Sequence, residues 1–304
     1  MSEPKRLLNP SYVAVLLATA WLAAIALMKL FAGNPGDLPR VVLDHTPFEA
    51  TPTFALVIAV ELSVALVALL RPRVGWVLLA GLYLVFEAVL AALIAAGAKS
   101  CGCAGGAITI SPLVMCAIDT TLLLLLVASR PWKNLVDPRV PAGALVALVA
   151  VAIGFPWFKV EQRAGGETPA FLVLHPDRWV GQMIFDAPEL VAHLEPADVE
   201  KLPTDGLVLL WRQSCDHCRD HLIALANDKV QHDGSKPIVL VQLRDDLDKS
   251  SQVEVFPEGA HVTRLQFKVG PTFAIQTPWE LHVEGGTITK ALDAEQSKAP
   301  PAGR

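Results

Sequence analysis

A chain of 304 residues that is 53% hydrophobic and carries a net charge of −5 has room for a membrane bundle and one further domain of ordinary size. The negative charge, with no long basic patch and no aromatic–basic interleaving, excludes a reading as a nucleic-acid binder. The five cysteines, Cys101, Cys103, Cys116, Cys215 and Cys218, form two close pairs and one single residue, which is not the framework of a small secreted scaffold and points to redox chemistry at two places.

Lys5 and Arg6 precede an apolar run at 12–31. The run is too long for a signal-peptide core and further apolar segments follow, so it is predicted to be an uncleaved first span. Lys29, near its end, is expected to snorkel to the headgroups. A proline-rich loop at 32–53 leads to a second span at 54–70, and Arg71-Pro72-Arg73 turns the chain into a third at 74–98. The loop at 99–106 holds Cys101-Gly102-Cys103, the fourth span covers 108–128, a basic stretch covers 130–139, and the fifth span covers 142–158.

Basic residues fall at alternate ends of these spans: Lys5 and Arg6, then Arg71 and Arg73, then Arg130, Lys133 and Arg139. The positive-inside rule places these on the cytoplasmic side. The N-terminus is then cytoplasmic, and both cysteine pairs lie outside, in the periplasm of a bacterial inner membrane, where disulfides persist. Glu61, Glu87 and Asp119 interrupt the apolar runs. A charge in the hydrocarbon costs roughly 2.5–3.5 kcal/mol on insertion scales. Glu61 and Glu87 therefore read either as a proton route or polar ligand pocket, or as hydrogen-bonding glue between helices. Asp119 reads as structural, and Cys116 as a packed thiol.

Beyond a polar linker at 161–168 the charge density rises. A short strand is predicted at 171–174, helical pieces at 188–193 and 197–201, and a strand at 206–211. That strand runs into Cys215-Asp216-His217-Cys218, with a helix continuing through 220–230. The apolar run 238–243 reads as a buried parallel strand. A polar loop or short helix covers 245–251, a hairpin begins at Thr277-Pro278, and the tail 296–304 is expected to be disordered. His175 and His193 read as surface or packing histidines.

A CxxC at a strand-to-helix junction suits a dithiol that opens and closes as a disulfide. The first thiol sits at the helix N-terminus, where unpaired N–H groups favour the thiolate, and the second lies about one turn on, within reach to resolve a mixed disulfide. Half a zinc site and a purely structural disulfide are the competing readings. Zinc wants four ligands, and although His217 and His221 are near, no second CxxC follows, so no metal is expected.

Residues 170–295 resemble a thioredoxin-fold domain. The resemblance rests on the strand before the CxxC, on Thr277-Pro278 in the place of the family's cis-proline loop, and on the hairpin that follows. It implies a cis bond at Pro278, which faces the dithiol, and a supporting role for Thr277. Asp216-His217 is closer to the Pro-His pair of oxidising relatives than to Gly-Pro, with His217 expected to stabilise the Cys215 thiolate and Asp216 to oppose it. The first 130 residues resemble the four-span methylamine-utilisation protein MauE, among the DoxX-like membrane proteins, through Glu61 and the Ser100-Cys101-Gly102-Cys103 loop. In that system the membrane protein accompanies a thioredoxin-like partner, and here both modules are read as fused. Resemblance to vitamin K epoxide reductase-type enzymes is weaker, because their membrane CxxC is missing.

The expected architecture is an α-helical membrane bundle, a four-helix core plus a fifth span, followed by an α/β thioredoxin-like domain. The expected activity is thiol–disulfide exchange with periplasmic protein thiols, carried by Cys215 and Cys218 and relayed to Cys101 and Cys103. Two other classes compete: a quinone- or small-solute-binding membrane protein in which Glu61 and Glu87 line the pocket, and a non-catalytic scaffold with a docking domain. With no haem CxxCH and no dinucleotide fingerprint, quinone is the one cofactor under consideration.

Overall fold

Prolines and small polar caps set where the apolar helices begin. Asn9 accepts a hydrogen bond from the Ser11 N–H, and α1 (Pro10–Ala32) starts on a proline whose missing N–H would have gone unpaired anyway. The same device opens α3 (Pro72–Ala95) and α4 (Pro112–Ala128), where the Ser111 hydroxyl accepts from the Val114 N–H. Between them lies α2 (Ala50–Leu70), and α5 (Ala142–Gly165) ends the helical part. The computed structural model describes residues 9–96, 98, 100–103, 110–138, 140–165, 169–213, 215–227, 236–244, 262–268, 270, 272–275, 277–293 and 296–297. Lys5, Arg6, Lys99, Arg139, the segment 245–251, the tail after 297 and the side chains of Lys133, Asp216 and His217 lie outside that description. The chain divides into two compact units, Met1–Glu167 and Thr168–Arg304.

In the first unit α1 to α4 pack in a ring, each against the next and α4 back on α1, while α5 packs mainly on α2. Four helices, α1, α2, α3 and α5, are long and apolar enough to cross a membrane, and α4 is a shorter apolar helix of 17 residues. One end of the unit is basic: Arg71 Nη2 donates to the Val140 carbonyl at 2.6 Å, Arg73 Nε to the Leu135 carbonyl at 2.8 Å, and Tyr12 bonds the Val136 carbonyl. The opposite end holds the Cys101–Cys103 loop, whose Gly102 (φ +63°) would place a Cβ 1.9 Å from the Asp37 carbonyl oxygen. Only glycine fits there.

The sequence places a linker from residue 161, but α5 continues to Gly165. Lys159, Glu161, Gln162 and Arg163 are good helix formers, Val160 is buried, and Arg163 Nη1 donates to the Leu30 carbonyl at 2.9 Å. That contact places the C-terminal end of α5 beside the end of α1, away from the basic end. Pro156 sits inside α5 and costs it one backbone hydrogen bond.

The second unit is built on a five-stranded mixed sheet. Its strands are β2 (Gly206–Trp211), β3 (Ile238–Gln242), β4 (Val262–Gln266), β6 (Trp279–Glu284) and β7 (Thr287–Asp293), in the order β4-β3-β2-β6-β7. The first three are mutually parallel; β6 and β7 run antiparallel as a hairpin. A separate parallel pair joins β1 (Phe171–Val173) to β5 (Thr272–Ala274). Gly206 opens β2 with φ +151°, where a Cβ would meet the Pro237 carbonyl oxygen at 2.3 Å.

Alternation splits the core. Val208, Leu210, Val239, Val241, Leu281 and Val283 face the segment running from Leu174 to Leu202. Leu207, Leu209, Trp211, Ile238 and Leu240 face α6 (Asp216–Asn227), which buries Cys218, Leu222 and Leu225 against them. Strands β4 and β5 have no counterpart in the sequence prediction. Val262–Gln266 alternates with Thr263, Arg264 and Gln266 and has too few apolar residues to stand out, and β5 is three residues long.

Candidate functional site

The dithiol lies where the sequence predicts a strand-to-helix junction. Strand β2 ends at Trp211 and α6 begins at Asp216. Cys215 and Cys218 are joined as a disulfide with Cα atoms 5.2 Å apart. Cys215 is half-buried, and Cys218 has 0% of its surface exposed. The Cys218 backbone N–H donates to Cys215 Sγ at 3.0 Å, the contact through which a helix N-terminus favours a thiolate. Cys215 Sγ also lies 3.4 Å from the Thr277 carbonyl oxygen. The Thr277–Pro278 peptide bond is cis. Thr277 and Pro278 are thus brought to the dithiol, with Pro278 itself buried.

Beneath this disulfide lies a pair that sequence reasoning missed. His221 Nε2 is 2.5 Å from Glu280 Oε1, and both side chains are buried. His221 is one turn after Cys218 on α6, and Glu280 stands opposite Leu209 in the sheet, on the face that α6 covers. Burial pushes the Glu280 carboxyl up, but the hydrogen bond from His221 and the nearby His282 imidazole outweigh it and hold the group at about 2, against an ordinary 4.5. A carboxyl depressed in this way adds stability that is fully present above pH 4.5 and is lost as pH falls through about 2. Glu280→Gln should therefore flatten the acid limb of the stability curve between those values, as read by unfolding midpoints. An unchanged limb in the variant would show that other groups set it.

The second pair, Cys101 and Cys103, is not bonded together. The Cys103 N–H donates to Cys101 Sγ at 3.2 Å, and the Cys103 thiol donates to the Cys101 carbonyl at 3.4 Å. The hydrogen bond from Cys103 pulls the Cys101 thiol down to about 7 against its burial, with Lys29 adding to the effect. The same bond and burial push Cys103 up. Both thiols pack with Ile25, Leu90 and Met115, and Cys116 joins the same cluster. Cys116 also donates to Glu87 Oε2 at 3.0 Å, and Thr120 donates to the other oxygen of that carboxylate at 2.7 Å. Glu87 thereby links α3 to α4.

Glu61 is engaged differently. Lys29 does not snorkel to the surface: it is 6% exposed and forms an ion pair with Glu61, which is 1% exposed. A fixed carboxylate on α2 holds the ammonium inside, with the Phe86 ring 5.9 Å away. A cavity of about 50 Å³ adjoins Lys29, lined also by Trp21, Tyr83, Phe86, Cys103 and Asp119 among others, with neither Glu61 nor Glu87 in its lining. That is space for one or two water molecules. Lys29 and Asp119 both line this cavity, and each shows in the sequence as a charge within an apolar run.

No group of three or more His, Cys, Asp or Glu side chains that could hold a metal ion occurs among the described residues. Compared with family models, curated proteins and solved structures, the chain matches none.

Proposed function

We propose that this protein is a membrane-anchored thiol–disulfide oxidoreductase whose second unit is a thioredoxin-like domain facing the periplasm. The observation that carries the reading is the Cys215–Cys218 disulfide at the start of α6, with Cys218 N–H on Cys215 Sγ and the Thr277 carbonyl alongside. A structural disulfide would need neither an outer sulfur only half-buried nor the N–H contact. A substrate thiolate attacks Cys215 Sγ, the disulfide opens, and Cys218 leaves as thiolate and takes a proton. A second substrate thiol then displaces Cys215, so that substrate is oxidised by two electrons and the enzyme reduced. The reverse sequence reduces a substrate disulfide.

Four apolar helices of spanning length support the anchor, and the basic end formed by Arg71 and Arg73 supports a cytoplasmic assignment for that end. The relay between Cys101–Cys103 and Cys215–Cys218 belongs to the same proposal. The quinone reading would require the cavity beside Lys29 to widen well beyond about 50 Å³. Purified full chain in detergent should catalyse disulfide formation or reshuffling in a reduced, unfolded substrate protein, and Cys215→Ser should abolish this. In intact cells an impermeant thiol reagent should label Cys215 once reduced. Equal catalysis by Cys215→Ser would sink the reading, and labelling only after lysis would sink the periplasmic assignment.

A further inference from the structure

The buried face of α6 carries Cys218, His221, Leu222 and Leu225, the i, i+3, i+4, i+7 set that one helix face presents. Leucines need no explanation there; an imidazole and a carboxylate do, because burying polar groups costs free energy that apolar packing would not. His221 is 8% exposed and Glu280 6%. The other titratable side chain facing the carboxylate is His282, whose Nε2 is 3.6 Å from Glu280 Oε2. Cys218, with no exposed surface, must lose a proton when it attacks a mixed disulfide and gain one when it leaves. Bulk water does not reach its sulfur to do either.

We propose that His221, oriented by Glu280, takes and returns the Cys218 proton. The inference rests on the oxidoreductase reading. In the mixed disulfide the Cys218 thiol gives its proton to the imidazole, and its sulfur attacks Cys215 Sγ. The bond from Cys215 to the partner sulfur breaks, and the electron pair leaves with the partner as thiolate. The Cys215–Cys218 bond has then formed and the partner is reduced. Glu280 engages Nε2, which leaves Nδ1 as the nitrogen for the proton, and the carboxylate stabilises the imidazolium so formed. Reduction of the disulfide runs these steps backward. His221 is the proton-transfer residue and Glu280 a positioning residue.

The two thiols can be timed separately. Full chain carrying Cys101→Ser, Cys103→Ser and Cys116→Ser, reduced and mixed with chromogenic dithiobis(nitrobenzoate), should release one coloured thiolate when Cys215 attacks and a second when Cys218 closes the disulfide. In this background His221→Gln should slow the second release by about 10²-fold, the size of a lost general base, with the first release unchanged. Glu280→Gln should slow the second release by about tenfold and Glu280→Asp should restore most of it. Should His221→Gln not fold, the Glu280 pair of variants carries the test alone. An unchanged second release overturns the proposal. So does equal slowing of both releases, which marks a structural role. Absence of any first release in the parent would overturn the oxidoreductase reading and this proposal with it, whereas a normal first release with an unaffected second would overturn only the proton-transfer role.

Discussion

Cys218→Ser in the full chain should accumulate covalent complexes with other proteins that dissolve on reduction, while Cys215→Ser should accumulate none. The asymmetry comes from geometry. Cys215 is the more exposed sulfur and receives the Cys218 N–H at 3.0 Å, whereas Cys218 has 0% exposure. An incoming thiolate reaches the outer sulfur, and without the inner thiol the mixed disulfide has nothing to resolve it. Non-reducing gels of membranes from cells carrying each variant read the result directly. Complexes on Cys215→Ser and none on Cys218→Ser would reverse the assignment. Adding Cys103→Ser to Cys218→Ser extends the test to the relay. If the two pairs exchange electrons directly, mild oxidation should then give a Cys101–Cys215 bridge within the chain, detectable by mass spectrometry. A chain in which Cys215 traps outside proteins but never Cys101 would leave the first unit as an anchor, or with a chemistry of its own.

Replacing either member of the Lys29–Glu61 pair should destabilise the first unit by about 3–5 kcal/mol, since the remaining charge is left buried without its partner. Lys29→Met strands a carboxylate whose second oxygen already lacks a hydrogen-bond partner among the described residues. Glu61→Leu strands an ammonium that is 6% exposed. The double variant removes both charges and should recover most of the loss, because a buried ion pair is rarely better than well-packed apolar side chains. Unfolding midpoints of the four proteins in one detergent give the coupling energy. Additive losses, with the double variant worse than either single one, would show that the two side chains act separately.

The hairpin, the central strand and the dithiol helix were legible because each announces itself locally. Gly206–Trp211 and 238–241 are unbroken apolar runs, and Glu284-Gly285-Gly286 is a turn sequence. The five apolar helices were legible for the same reason: some twenty apolar residues closed by proline or arginine leave few alternatives. The edge strand Val262–Gln266 was not, because it draws its stability from pairing with β3 rather than from its own pattern. The continuation of α5 to Gly165 depends on the Arg163 bond to Leu30, more than a hundred residues away in sequence.

By itself the sequence determined where the two thiol pairs fall, which segments are apolar enough to be helices of membrane length, and which strand feeds the dithiol. Those properties follow from residue type and short-range spacing. Only the tertiary structure decided which charges meet. Lys29 reads as a residue at the end of a span until Glu61 of another helix holds it inside, and Glu280 carries no signal in the sequence until α6 covers it and His221 bonds it. A charge can be buried only where its partner is, and the partner's identity is a matter of contacts between elements distant in the chain.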